Sequence, residues 1–278
     1  MSGGDFLANM AASSRARSLA AQAVTPAREL RARLADLPKS PVLALDTFDL
    51  IAEVKLRSPA VGLLKDAGAE NVGERVASYA RAGAAAVSIL TEPSRFDGSL
   101  DDLVAGSRAL APLEVPAMRK DFLVDDYQVL EGRVAGAGGV LAILRMLPRA
   151  SLERLIDAAL ELDMFVLLEA FDAADIELAH ALVQARQAHR RLLLVGVNSR
   201  DLSTLQVVPG RLDALAASLP GSVPRVAESG VATAADAERV AAAGYDLALV
   251  GSALMSAPDP AALARAMLTA GRAAVSAR

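Results

Sequence analysis

Glu53 and Lys55 stand two positions apart in the apolar run Leu50–Lys55. Side chains along a strand switch faces at each step, so Ile51, Glu53 and Lys55 share one face and Leu50, Ala52 and Val54 the other. A carboxylate and an amine at the end of such a run read either as a structural ion pair, costly to desolvate, or as proton-handling groups. The run breaks at Ser58-Pro59 and Gly62, which marks a loop. Further apolar runs also end in polar groups: Thr91-Glu92, Lys120-Asp121, Glu169, Asn198-Ser199-Arg200, Glu228-Ser229-Gly230 and Gly251-Ser252.

The composition narrows the chemistry these groups can do. With no cysteine, disulfides, thiolate nucleophiles and Cys-ligated metals drop out. The two histidines, His180 and His189, lie in the helical stretch 172–191 near no motif and read as surface residues. Histidine catalysis and a metal site are therefore not expected. Of 29 basic residues only four are lysines (Lys39, Lys55, Lys65 and Lys120), leaving 25 arginines. Arginine stays charged, whereas burial can shift a lysine pKa. Acid–base chemistry would thus rest on Lys55 and Lys120 with Glu or Asp partners, burial lowering the lysine pKa toward the working range.

The elements that must position these groups follow a simple rhythm. Eight apolar runs are bounded by turn residues: Leu50–Lys55, Ala85–Thr91, Val115–Lys120, Gly139–Leu144, Phe165–Glu169, Leu192–Asn198, Arg225–Glu228 and Leu247–Gly251. Continuous Val/Leu/Ile/Ala runs suit parallel strands covered by helices. Helical patterns separate them, at Val72–Ala82, Leu100–Leu110, Tyr127–Ala135, Leu152–Leu162, Ala173–Ala188, Arg211–Leu219, Ala234–Ala243 and Pro260–Ala270. Ser151 and Thr233 read as helix starts, and Gly83, Gly136 and Gly244 as helix ends. Strand and helix alternating eight times predicts an α/β fold, a (β/α)8 TIM barrel. A doubly wound open sheet is the rival, but it carries a glycine-rich turn after its first strand, where this chain has Lys-Leu-Arg-Ser-Pro. Residues 5–36 read as helix interrupted at Thr25-Pro26, with Thr25 capping a second helix that has Pro26 in its first turn. The reading is a single domain over 1–278, comprising an N-terminal helical extension over 1–45 and a barrel over 46–278.

The 278 residues are 53% hydrophobic, with mean hydropathy +0.34, enough for one large domain with a full core. No apolar run approaches the roughly 20 residues of a membrane span, and the first twenty residues lack the apolar stretch of a signal peptide. A cytoplasmic protein is expected. Net charge −4 and a pI of about 5.4, with both signs interspersed, give nucleic-acid binding no electrostatic support. The partner expected is a small molecule, neither nucleic acid nor membrane. Oligomeric state is not read from the sequence, though a monomer is expected.

In these barrels the active site lies at the C-terminal strand ends, and loops seven and eight commonly hold phosphate on helix N-termini. Glu-Ser-Gly-Val-Ala-Thr (228–233) and Val-Gly-Ser-Ala-Leu-Met (250–255) place Gly and Ser there, and Ser58 could add a hydroxyl from across the mouth.

Ile-Ala-Glu-Val-Lys with Ser58-Pro59, Phe-Asp-Gly-Ser-Leu at 96–100 and Met-Arg-Lys-Asp-Phe at 118–122 recur in a known order. Gly-Val-Asn-Ser-Arg-Asp-Leu at 196–202, Ala-Glu-Ser-Gly at 227–230 and the 250–255 run complete it. Together, from about residue 45 to 256, they resemble indole-3-glycerol phosphate synthase. That family closes, decarboxylates and dehydrates 1-(2-carboxyphenylamino)-1-deoxyribulose 5-phosphate in tryptophan biosynthesis, without a cofactor. The resemblance implies Lys120 as the general acid on the ketone oxygen and Glu169 as the base for the later proton loss. It implies Lys55 beside Lys120, in ring closure, carboxylate binding or dehydration. Glu53 would orient the lysines and substrate hydroxyls, supported by Asn198. Arg200 would join the carboxylate site, with Phe96 and Phe122 walling the aromatic ring. Ser58, Gly230, Gly251 and Ser252 would hold the phosphate, with Ser229 at the edge of the site.

Three departures stand out. Ala60 replaces the usual serine of Ser-Pro-Ser, Phe171 follows Glu169-Ala170 where a polar residue or His is commoner, and there is no Trp for an aromatic lid. They leave open a paralogue of a specialised indole pathway. Two further alternatives are another phosphosugar-barrel isomerase, which would expect a Cys or Asp acid–base pair, and a non-catalytic phosphate-binding subunit.

Overall fold

The computed structural model describes residues 3–59, 62–65, 70–202 and 204–277. Eight parallel strands close into a barrel: β1 Asp49–Val54, β2 Ala86–Leu90, β3 Ala117–Lys120, β4 Gly139–Ile143, β5 Phe165–Ala170, β6 Leu193–Asn198, β7 Arg225–Glu228 and β8 Leu247–Val250. Neighbours in sequence are neighbours in the sheet, and β8 pairs with β1 to close the ring, Ala52 opposite Val250. The strand ends fall within two residues of those expected. β3 starts at Ala117 because Pro116 has no N–H to enter a ladder.

Alternation along the strands sorts residues into two cores. Leu50, Ala52 and Val54 join the outer core under the helices, as do Val195 and Val197. Ile51, Ala86, Met118, Leu167, Leu194, Val226 and Leu249 fill the barrel interior. The outer helices are α3 Val72–Arg81, α5 Leu100–Leu110, α6 Asp126–Val134, α7 Arg149–Glu161, α8 Ala173–Ala185, α9 Arg211–Ala216, α10 Ala234–Ala243 and α12 Pro260–Ser276. Short helices α4 Pro93–Phe96 and α11 Ser252–Ser256 follow β2 and β8, and Arg57–Ser58 pairs antiparallel with Gly62–Leu63 in the loop after β1. Thr233 caps α10 in a full capping box with Asp236. Gly83, Gly136 and Gly244 all have positive φ beyond their helices.

Two expected helix starts are corrected. α7 begins at Arg149 behind Pro148, so Ser151 lies inside the first turn, where its hydroxyl accepts from Arg154. α2, Ala27–Leu34, has Pro26 itself in the capping position, extended at φ −60° and ψ 149°. Thr25 is therefore one residue too early to cap, and its carbonyl instead accepts from the Tyr127 hydroxyl at 2.9 Å.

Helix α1, Gly3–Val24, lies against the loop after β3 and the start of α6. Ser18 donates to Asp125 at 2.6 Å, and Gln128 donates to Ser14 at 2.9 Å. Leu30 of α2 packs with Tyr127 and Leu130 of α6. Arg133 then donates to the Pro38 carbonyl at 2.6 Å and Ser40 to that of Ala137 at 3.2 Å. The extension thus runs from the C-terminal rim down the outside of α6 to the opposite end, where β1 begins. His180 and His189 are both exposed. No helix among the described residues is long and apolar enough to cross a membrane.

Candidate active site

A cavity of about 320 Å³ opens at the C-terminal ends of the strands. Glu53, Lys55, Lys120, Glu169, Asn198 and Arg200 line it, with Phe96 and Phe122. Ser58, Ser229, Gly230, Gly251 and Ser252 line it too, so every residue given a role in the sequence analysis lines one space, whereas Thr91 and Glu92 of the β2 end do not: Thr91 donates to Asp121 and Glu92 accepts from the Ser94 and Arg95 N–H groups.

The inward phase of β1 carries Glu53 and Lys55 into this space, where Lys55 Nζ lies 2.6 Å from Glu53 Oε1. Burial pushes the Glu53 carboxyl up, but Lys55 and Lys120 outweigh it and hold the group below the usual carboxylate range. Lys120, at the end of β3, reaches Glu169 Oε1 and Glu228 Oε2, each at 3.6 Å. Here the expected pKa direction is corrected. Burial alone would favour the neutral amine, yet Glu169, Glu228 and Glu53 together raise the Lys120 pKa. Three carboxyl groups around one amine make the ammonium the favoured form. Glu228 responds oppositely: burial and the facing Glu169 push its carboxyl well above the ordinary range, against the pull of Lys120.

Asn198, inward on β6, donates to Glu169 Oε1 at 2.9 Å and accepts from the Arg200 backbone N–H at 2.9 Å. It fixes one oxygen of Glu169 while its own carbonyl holds the next loop. Arg200 is half-buried, and that burial lowers its pKa. After β7 the chain turns through Ser229 (φ 64°) and Gly230 (φ 74°), and the Ser199 hydroxyl donates to the Ser229 carbonyl at 3.0 Å. A left-handed serine is a strained conformation that its surroundings must hold in place.

Glu228 and Phe6 are among the cavity residues that the sequence reading did not name as site residues. Glu228 is 1% exposed and sits two steps beyond the inward Val226, so the period-two argument that singled out Glu53 applies equally to it. Phe6 of α1 had no comparable local signal. Its ring meets Phe122 edge-on at 5.9 Å, and the Phe96 ring lies 6.2 Å from that of Phe122.

The sequence profile of indole-3-glycerol phosphate synthase matches residues 7–267. An indole-3-glycerol phosphate synthase of a Nocardioides species is 41% identical over 250 residues, covering 88% of this chain and 91% of its own. The chain belongs to the indole-3-glycerol phosphate synthase family. The Opitutus terrae member is 41% identical over 220 residues, 78% of this chain and 79% of its own, and the Mycolicibacterium smegmatis member 38% over 243 residues, 87% and 85%. Among solved structures, thiamine phosphate pyrophosphorylase from Pyrococcus furiosus superposes with a TM-score of 0.58 at 16% identity, covering 82% of this chain and 97% of its own. That likeness concerns the barrel fold alone.

Indole-3-glycerol phosphate synthases are decarboxylating lyases of tryptophan biosynthesis, and the departures from the family pattern can now be located. Phe171 is buried in the barrel's inner core. The Arg145 guanidinium lies 4.9 Å from its ring centroid, and Asp175 accepts the Phe171 N–H at 2.8 Å. The ring thus packs under a cation, while the Asp175 carboxylate holds the Phe171 backbone. Phe6 supplies an aromatic ring at the mouth in the absence of tryptophan. Ala60 lies outside the described residues.

Proposed function

We propose that this chain converts 1-(2-carboxyphenylamino)-1-deoxyribulose 5-phosphate to indole-3-glycerol phosphate, carbon dioxide and water, with Lys120 as the acid. The observation that carries this reading is the single Lys120 ammonium 3.6 Å from both Glu169 and Glu228, inside the cavity that also holds the Glu53–Lys55 pair.

The substrate's aromatic ring would lie against Phe6, Phe96 and Phe122, with its carboxylate toward Arg200 and Lys55. Its phosphate would take the N–H and hydroxyl groups of Ser58, Gly230, Gly251 and Ser252, beside Ser229. The ring carbon that bears the carboxylate attacks the ketone carbon, and the ketone oxygen takes a proton from Lys120 to become a hydroxyl. The ring–carboxylate bond then breaks, and its electron pair restores aromaticity as carbon dioxide leaves. The new hydroxyl departs as water after protonation by a lysine, while Glu169 removes the proton whose loss forms the indole double bond. A charged Lys120 suits the first step, because an acid must hold its proton until the oxygen develops charge. Glu53 keeps Lys55 in place, and Glu228 shares the proton balance of Lys120 with Glu169. The working unit is taken as a monomer, and the sequence favours the cytoplasm.

Incubating the protein with this substrate and following indole fluorescence tests the reading. Appearance of the indole signal, lost in Lys120→Ala, is expected. Substrate binding without turnover would sink it in favour of a non-catalytic phosphate-binding role.

A further inference from the structure

We propose that Gly196 is a positioning residue: the missing side chain there makes the seat in which the Glu228 carboxyl group meets Lys120. The proposal rests on the reading of Lys120 and Glu228 above. Gly196 lies within β6, paired with Glu169 on one side and Val226 on the other. Leu194 fills the barrel interior and Val195 faces the helices, so the phase of the strand turns position 196 inward. A Cβ built on Gly196 would stand 2.2 Å from Glu228 Oε1 and 3.1 Å from Glu228 Cδ, with Leu167 Cδ1 at 3.1 Å.

Conformation does not explain the glycine. Gly196 is absent from the glycines with positive φ and sits in ordinary strand, where glycine weakens the ladder and often marks a close approach. Nor can Glu228 easily move aside, being 1% exposed. Neither of its oxygens has a hydrogen bond of normal length among the described residues, so packing and the Lys120 ammonium 3.6 Å away set its place. The same device recurs at Gly251, where a Cβ would stand 2.3 Å from Glu53 Oε1 and 2.9 Å from Lys55 Nζ. Gly251 also belongs to the proposed phosphate loop. Gly196 does not line the cavity, which makes it the cleaner test.

The experiment is a double-mutant cycle of Gly196→Ala and Glu228→Ala, reading kcat, KM and Tm. Gly196→Ala alone should lower kcat about tenfold or more with KM within about threefold, as expected for a displaced proton-handling group. In the Glu228→Ala background the added methyl no longer meets the carboxyl and faces only Leu167 Cδ1 at 3.1 Å, so it should change kcat by less than about twofold and lower Tm less than Gly196→Ala does in the parent. If Gly196→Ala does not fold, the double variant should still do so. Equal losses in both backgrounds, or wild-type kcat in Gly196→Ala, would overturn the seat. Wild-type kcat in Glu228→Ala would instead remove Glu228 from the mechanism, a separate failure that the single variant reveals by itself.

Discussion

Arg17 grips Asp121 with two guanidinium nitrogens, at 2.7 and 3.0 Å, one residue beyond Lys120. Asp121 also accepts from Thr91 at 2.8 Å and from the Phe122 N–H at 2.8 Å. The first helix therefore holds the strand end that carries the proposed acid, and through Phe6 it also touches the ring of Phe122. Arg17→Met should cost about 1–3 kcal/mol in urea unfolding, less than a fully broken buried pair because Arg119 still faces Asp121. It should also lower kcat. Unchanged stability would show that the grip is idle.

Lys120→Ala should reduce kcat by about 10²–10⁴-fold, the usual span for one general acid. Inorganic phosphate should still bind with about its original affinity, since the proposed phosphate-binding groups lie on other loops. Full activity in this variant would remove the assignment of the acid.

Glu169→Gln keeps the size of the side chain and its contact with Asn198 but takes away the proposed base. Turnover should slow at the dehydration, so a decarboxylated, still hydroxylated intermediate should build up in single-turnover chromatography. A slowed enzyme with no such species would assign Glu169 to an earlier step.

Phe6→Ala removes one ring of the proposed aromatic wall at the mouth. KM should rise by about 1–2 kcal/mol of lost contact, with kcat less affected. Equal KM values in the two proteins would leave the ring without a part in substrate binding.

The pH dependence of stability has a definite sign at Glu228. Its carboxyl is raised in the folded protein, so the folded state holds that proton to higher pH than the unfolded chain does. Its contribution to stability therefore falls as pH rises from the ordinary carboxylate pKa, about 4.3, toward the raised folded value. Glu228→Gln should match the wild type near pH 4 and be more stable than it at pH 8. The gain is about 1.4 kcal/mol for every tenfold by which the folded carboxyl holds its proton more tightly than the unfolded one. Lower stability of the variant at pH 8 in guanidinium titrations would contradict the assignment. Glu53 runs the other way, adding stability above the ordinary carboxylate pKa that is lost as pH falls through its depressed folded value.

Local pattern was enough to read the strand count, the rim and the inward phase of Glu53 and Lys55. A strand repeats every two residues and a helix every 3.6, so neighbours along the chain carry that information themselves. Thr233 with Asp236 was legible for the same reason, because a helix cap is completed within four residues. Thr25 and Ser151 misled because prolines nearby set those helix starts. Closure of the barrel decided the rest. Lys120, Glu169 and Glu228 are far apart in sequence, and only the ring of strands puts one amine between two carboxyls. The charged state of Lys120 follows from that gathering, since burial acting alone would have pushed it the other way. Phe6 reaches the site, and Arg17 reaches Asp121 beside it, only because the extension folds over the rim, and the room above Gly196 exists only once β7 lies beside β6. Through-space electrostatics and packing depend on which distant segments meet, and that is settled by tertiary structure.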